Sequence, residues 1–155
     1  MIIVVDDAHR ENEGDIIFAA EKATPELVNF ALKHGRGILC APMDPDEAER
    51  AGLELMVEHN TAKFGTPFTE SVDARRGTST GTSAFDRART FRALARPGAA
   101  PPPRPAGAGS LFSMSWIHLP EKSGFWAWAS VGTANAMARI TARNTNFLVM
   151  TTPCC

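Results

Sequence analysis

The first 96 residues predict an α/β unit, because short apolar runs of strand length alternate with segments of helical spacing and glycine or proline stands between them. A third observation sets this region apart: every acidic residue of the chain except Glu121 lies within it, and all three tryptophans lie beyond it. Ile2 to Val5 is a short buried-strand run and Ile16 to Ala19 a second. The acidic run Asp6 to Asp15 therefore falls in the connection between two strands. Thr24-Pro25-Glu26 supplies an N-cap, a proline at the first helical position and an acid in the first turn, and Leu27, Val28, Ala31 and Leu32 keep helical spacing up to Gly35. Ile38 to Pro42 reads as another buried strand. Asp44-Pro45-Asp46-Glu47 opens a second helix that Gly52 ends. Phe68 to Ala74 alternates as a strand, and Ser83 caps a last helix running through Leu94.

The chain changes character at Pro97. Residues 97–109 are rich in proline, alanine and glycine and read as a linker. Residues 110–155 have no role that can be assigned from their pattern; a strand at Asn146 to Met150 and a helix at Ala134 to Ala142 are the expectations there. Trp116, Trp126 and Trp128 show neither helical nor strand spacing, so an interface patch and an unstructured apolar tail are both open. Such a switch in composition is what a change of reading frame or a fused, unrelated end would produce.

The bulk properties exclude several classes. With 155 residues, 44% of them hydrophobic, the chain suits one compact domain. A net charge of −1 leaves no broad cationic face for a nucleic-acid backbone. Three cysteines, two of them at the very end as Cys154-Cys155, make no disulfide framework, and a reducing cytoplasm fits best. The apolar start, Met1 to Val5, meets Asp6-Asp7 too soon for a signal peptide or a membrane span.

Chemistry concentrates between Asp6 and Asp15, where Asp6, Asp7, Glu11, Glu13 and Asp15 crowd beside His9 and Arg10. Like charges at that density cost stability unless a cation or a proton relieves them, and hard divalent ions prefer such oxygen ligands. Arg10 offers a planar fork for a phosphate. The ordinary reading is a solvated acidic loop with Arg10 as its counter-ion. Ser79-Thr80-Gly81-Thr82-Ser83 is a hydroxyl-rich turn feeding a helix N-terminus, which reads equally as an anion site or as a plain cap. Cys40 is better explained as a core filler than as a reactive thiol. His34 reads as an imidazole cap at a helix end, and His59 and His118 are single residues without the spacing of a transition-metal site.

The run Arg10-Glu11-Asn12-Glu13-Gly14-Asp15, followed by Ile16 to Glu21, closely resembles the acidic signature of the 3,4-dihydroxy-2-butanone 4-phosphate synthases of riboflavin biosynthesis. The likeness continues through His34 to Cys40, Met56 to Thr61, Phe64 to Thr69 and Ser79 to Thr90, in family order, and covers nearly all of residues 2–96. It implies an α+β arrangement of a mixed sheet flanked by helices, incomplete here at both ends, usually as a homodimer. It also implies conversion of ribulose 5-phosphate to 3,4-dihydroxy-2-butanone 4-phosphate and formate, with Mg²⁺, or Mn²⁺ in its place, and no organic cofactor. On the family pattern Glu11 is a metal ligand, Arg10, Glu11, Asp15 and Thr80 contact the sugar phosphate, Glu13 and Asp15 are the catalytic candidates, and Cys40 lines the pocket.

Three departures accompany the likeness. The chain opens at the first strand, where the family has a preceding helix. Ala8 and His9 stand where family members tend to carry acids. The family's Pro-Gly-His, Arg-x-Gly-His-Thr-Glu and Cys-Glu segments have no counterpart after Arg96. The expected consequence is weak or absent activity, since a metal site left with one of its protein ligands loses affinity. A non-catalytic phosphate-binding or partner-binding remnant of the family is the alternative.

Overall fold

A computed structural model describes residues 1–5, 9, 14–43, 45–61, 63, 65 and 67–96, together with the strands at 104–105, 126–129, 136–139 and 148–153, whose side chains are not described. In chain order the elements are β1 (Ile2–Val5), β2 (Gly14–Ala19), a 3₁₀ turn (Ala20–Lys22), α1 (Pro25–Gly35), β3 (Gly37–Cys40), α2 (Pro45–Arg50), β4 (Val72–Asp73), α3 (Ala84–Leu94), β5 (Arg104–Pro105), β6 (Trp126–Ala129), β7 (Ala136–Arg139) and β8 (Leu148–Pro153).

The main sheet has the order β1-β2-β8-β3. Each of its neighbouring pairs is antiparallel, so the α+β class holds while the described strands include no parallel pair of the kind a mixed sheet requires. Strand β8 lies between β2 and β3, with Phe18 opposite Val149 and Cys40 opposite Met150. A segment from the end of the chain thus supplies the hydrogen-bonding partner on one side of β2 and of β3.

Local chemistry accounts for the helices. Thr24 sits in extended backbone and its hydroxyl accepts from the Leu27 amide at 3.3 Å, with Pro25 opening α1. Helix α2 ends in a Schellman pattern: Gly52 has φ +65°, Leu53 donates to the Ala48 carbonyl, and Gly52 donates to that of Glu49, each at 2.9 Å. Helix α1 runs to Gly35, as its spacing predicts, and Arg36 after it takes the left-handed conformation at φ 56°.

Val28 and Ala31 of α1, Leu39 of β3, and Ala88 and Phe91 of α3 form the core with Phe18 of β2. Phe18 meets Phe91 edge-on with ring centroids 6.4 Å apart. Arg92 closes the same junction by donating to the Ala23 carbonyl.

Three expectations are corrected. The predicted strand at Phe68 to Ala74 is broken into a bridge, Thr69 with Leu55, and the short β4, which pairs with β5 inside the proline-rich stretch. The predicted helix at Ala134 to Ala142 contains β7, whose residues pair with β6; cross-strand partners override the helical preference of Ala136, Met137 and Ala138. Trp126 and Trp128 do stand at strand spacing, on β6. The predicted strand at Asn146 to Met150 overlaps the start of β8.

Candidate active site

Strands β1 and β2 leave and enter the acidic run at Val5 and Gly14, which are register partners. Directly opposed residues share a face, so Val4 and Asp15 lie together, as do Ile2 and Ile17. Asp15 is 9% exposed on that face, beside Val4 and Ile17 at 1% and 2%. The opposite face of β1 carries exposed Ile3 and Val5. A carboxylate held in such apolar company sits where polar partners must compensate its burial. Arg10, Glu11 and Glu13 lie outside the described residues, as do Asp6 and Asp7; His9 is exposed.

Asp15 and Phe18 are three positions apart on one strand and so point to opposite faces. The Phe18 face is the one on which α3 packs. The turn carrying Thr80 leads into that helix.

Around Thr80 the geometry is dense. Ser83 caps α3, its hydroxyl accepting from the Asp86 amide at 3.1 Å. Asp86 answers with one carboxylate oxygen, Oδ2, that accepts from the Ser79 amide (3.1 Å), the Ser79 hydroxyl (2.9 Å) and the Gly81 amide (3.1 Å). Arg87, itself buried, donates Nε to the Thr82 carbonyl at 2.9 Å. Gly81 stands at φ +81°, and a Cβ there would strike the buried Asp73 carboxylate. Thr90 links the helix to the residue that follows β4, donating to the Asp86 carbonyl at 2.9 Å and accepting from the Ala74 amide at 3.1 Å. Outside this clamp the Thr80 and Thr82 hydroxyls are 3.0 Å apart.

Burial raises the Asp86 carboxyl, but the bonds from Ser79, Gly81 and Ser83 outweigh it and hold the group below its ordinary value. Burial lowers the Arg87 guanidinium, partly offset by the nearby Asp73 carboxylate. The donors of the turn ahead of α3, the Ser79 and Gly81 amides, are thus taken by the protein's own Asp86. Of the two readings of Ser79 to Ser83, the cap holds for Ser83, and Thr80 is left exposed beside it.

Asp86, Arg87 and Asp73 are the residues that sequence reasoning did not single out here. The spacing Ser83-x-x-Asp86 was the available signal, a capping-box pattern with Asp in the acidic position. Cys40 is 3% exposed on β3 within the core strands. His34 lies against the Phe30 ring, centroids 4.4 Å apart, on the last turn of α1, and His118 falls outside the described residues. Among the described residues no group of three His, Cys, Asp or Glu side chains converges for a metal, and no helix is long and apolar enough to cross a membrane.

Comparison with known proteins places this arrangement. The family profile described as 3,4-dihydroxy-2-butanone 4-phosphate synthase matches residues 1–107. The riboflavin biosynthesis protein RibBA of Rhodococcus erythropolis is 57% identical over 96 residues, which is 62% of this chain and 23% of that protein. The 3,4-dihydroxy-2-butanone 4-phosphate synthase of Pseudomonas aeruginosa is 54% identical over 95 residues, covering 61% of this chain and 26% of the relative. The chain therefore spans about a quarter of the length of these curated relatives. Among solved structures, a 3,4-dihydroxy-2-butanone 4-phosphate synthase in complex with two magnesium ions superposes with TM-score 0.73 at 33% identity, over 97% of this chain and 68% of that one. The two-domain synthase RibBX from A. baumannii gives 0.66 at 33% identity, over 76% of this chain and 34% of that one. On the profile match and these identities, the chain belongs to the 3,4-dihydroxy-2-butanone 4-phosphate synthase family.

Proposed function

We propose that this chain carries the substrate-recognition half of a 3,4-dihydroxy-2-butanone 4-phosphate synthase, acting on ribulose 5-phosphate in riboflavin biosynthesis, with its turnover impaired. The observation that carries the reading is the acidic run Arg10 to Asp15 joining β1 to β2, with Asp15 buried at the start of β2. Residues 1–96 form the family part in this reading, residues 97–109 a linker, and residues 110–155 a segment of other origin, from a shifted frame or a fusion. The identity to the two curated relatives extends over only 95 or 96 residues and the family profile stops at residue 107, which supports a change of origin in this region.

The donors in the run are carboxylates, which suit Mg²⁺ or Mn²⁺ and not a soft metal. Glu11 is the proposed protein ligand. Bound there, the ion supplies an electrophile that holds the negative charge developing when the sugar enolises beside its carbonyl. Arg10 grips the phosphate with its planar fork, and Glu11 also contacts substrate. Glu13 moves the proton from the carbon next to the carbonyl. Asp15 accepts a hydrogen bond from a sugar hydroxyl and, as a buried carboxylate, is the second acid/base candidate. Thr80 supplies a further substrate contact. A second copy of the chain would meet it across the exposed apolar face of β1, and the cytoplasm is the expected compartment.

The proposed impairment rests on residues 97–155, which carry no counterpart of the family's histidine and glutamate segments. Purified protein assayed for formate release from ribulose 5-phosphate with Mg²⁺ is expected to give rates at background, and turnover of about 1 s⁻¹ or faster, the ordinary enzyme range, would overturn that. Calorimetric titration of the same substrate and Mg²⁺ should still show metal-linked binding that Glu11→Ala removes. Binding untouched by Glu11→Ala would favour the non-catalytic remnant.

A further inference from the structure

We propose that Asp86 is a positioning residue that aims the Thr80 hydroxyl at the substrate, an inference that rests on the functional reading of Thr80 above. Four polar groups of the turn are engaged from the protein side. The Ser79 amide and hydroxyl and the Gly81 amide end on Asp86 Oδ2, and the Thr82 carbonyl ends on Arg87. Asp73 backs Gly81 so closely that a side chain there has no room. What the turn shows to solvent is the Thr80 hydroxyl, paired at 3.0 Å with that of Thr82. Two hydroxyls sharing one hydrogen bond keep one proton to donate and several lone pairs to accept with.

The charge arrangement also selects the kind of atom that can meet Thr80. The Ser79 and Gly81 amides of the turn are already bonded to the Asp86 carboxylate, so a phosphate dianion placed against the turn would find those donors spent and a like charge behind them. A sugar hydroxyl meets neither obstacle. Asp86 therefore makes the turn a rigid holder for a neutral hydroxyl contact and leaves the phosphate to Arg10. Asp86 itself, buried beneath the turn, touches no substrate and acts through Thr80.

The test is a double-mutant cycle on the full chain, read as the Kd for ribulose 5-phosphate with Mg²⁺ by calorimetry, each variant held well below its own unfolding midpoint. Thr80→Val should weaken binding about 3- to 10-fold, the worth of one hydrogen bond. Asp86→Ala should weaken it by a similar factor, and Asp86→Asn, which keeps an acceptor oxygen, by less. Should the alanine variant fail to fold, the asparagine variant carries the cycle. In the Thr80→Val background a change at Asp86 should add no further loss, because the hydroxyl it aims is gone. A merely structural role predicts additive losses, and that result would overturn the proposal. An unchanged Kd in Asp86→Ala beside a weakened Thr80→Val overturns it while leaving Thr80 a substrate contact. Full binding by Thr80→Val, or no binding by the parent chain, overturns both.

Discussion

Helix α3 and strand β8 both close the same small domain, yet they belong to it in different ways. Around α3 each level of description agrees: a serine cap, an acid in the first turn, and Ala88 and Phe91 buried one turn apart against Phe18. Strand β8 has little local signal and enters by its backbone, filling the gap between β2 and β3. The comparisons divide along the same line. Sequence identity to P. aeruginosa synthase covers 61% of the chain, whereas likeness to the magnesium-bound synthase structure covers 97% of it. Sheet pairing needs strand-length segments with free N–H and C=O groups, whereas metal and acid/base chemistry need particular side chains. A tail can therefore keep the first and lack the second.

The comparison breaks first at Phe91. Phe91→Ala should cost about 3–5 kcal/mol, since the ring is fully buried and edge-on to Phe18. That is a large share of the stability of a small domain, and urea unfolding should show the midpoint collapse. A loss near 1 kcal/mol would mean that the α3 contact is not the centre of the core.

Met150→Pro tests the other side. Proline removes a ladder donor and fits poorly in a strand paired on both edges, so a loss of about 3 kcal/mol is expected. An unchanged urea midpoint would remove β8 from the sheet and leave the first 96 residues as the stable unit. A cross-link gives the same answer by position. With Cys154 and Cys155 changed to serine, Met150→Cys stands opposite Cys40, within the Cα spacing a disulfide tolerates. Oxidation followed by mass mapping should find the Cys40 bridge, and its absence would contradict the register.

Acid sharpens the comparison next. Because the folded pKa of Asp86 lies below its unfolded value, its stabilising contribution is complete above about pH 4, the unperturbed range, and drains as pH falls through the folded value. Asp86→Asn should flatten the acid side of the stability profile. An identical acid slope in the two proteins would show that the turn is held by other means. Ser83→Ala, which removes only the cap hydroxyl, should cost about 1 kcal/mol at neutral pH.

Much of this contrast was legible beforehand, for physical reasons. The starts and ends of α1, α2 and α3 depend on residues within one turn of each boundary, so Thr24, Gly52 and Ser83 announced them. The acidic connection between β1 and β2 was equally visible, because its charges are contiguous. Strand β7 was not, since Ala136 to Arg139 favour a helix until β6 is beside them, and no short window contains both. The clamp beneath Thr80 escaped for a related reason. Asp86 looked like an ordinary first-turn acid, and only the closed turn brings the Ser79 and Gly81 amides onto it.

The smallest expected effect lies where α1 ends, and its sign is informative. Gly35 is the last helical residue, and Arg36, not a glycine, occupies the left-handed conformation after it at φ 56°. A side chain in that region is strained by about 1 kcal/mol or somewhat more, and glycine relieves it at the cost of a freer unfolded chain. Arg36→Gly should therefore stabilise by about 0.5 kcal/mol, small but measurable as a shifted urea midpoint. The exposed guanidinium contributes little packing to oppose it. If Arg36→Gly destabilises instead, the side chain must make an interaction that repays the strain, and the His34-Gly35-Arg36-Gly37 corner would then join Asp15 and Thr80 as a place to look for ligand contacts. Repeating the ribulose 5-phosphate titration on that variant separates the two cases: strain alone leaves the Kd unchanged, whereas a ligand contact raises it.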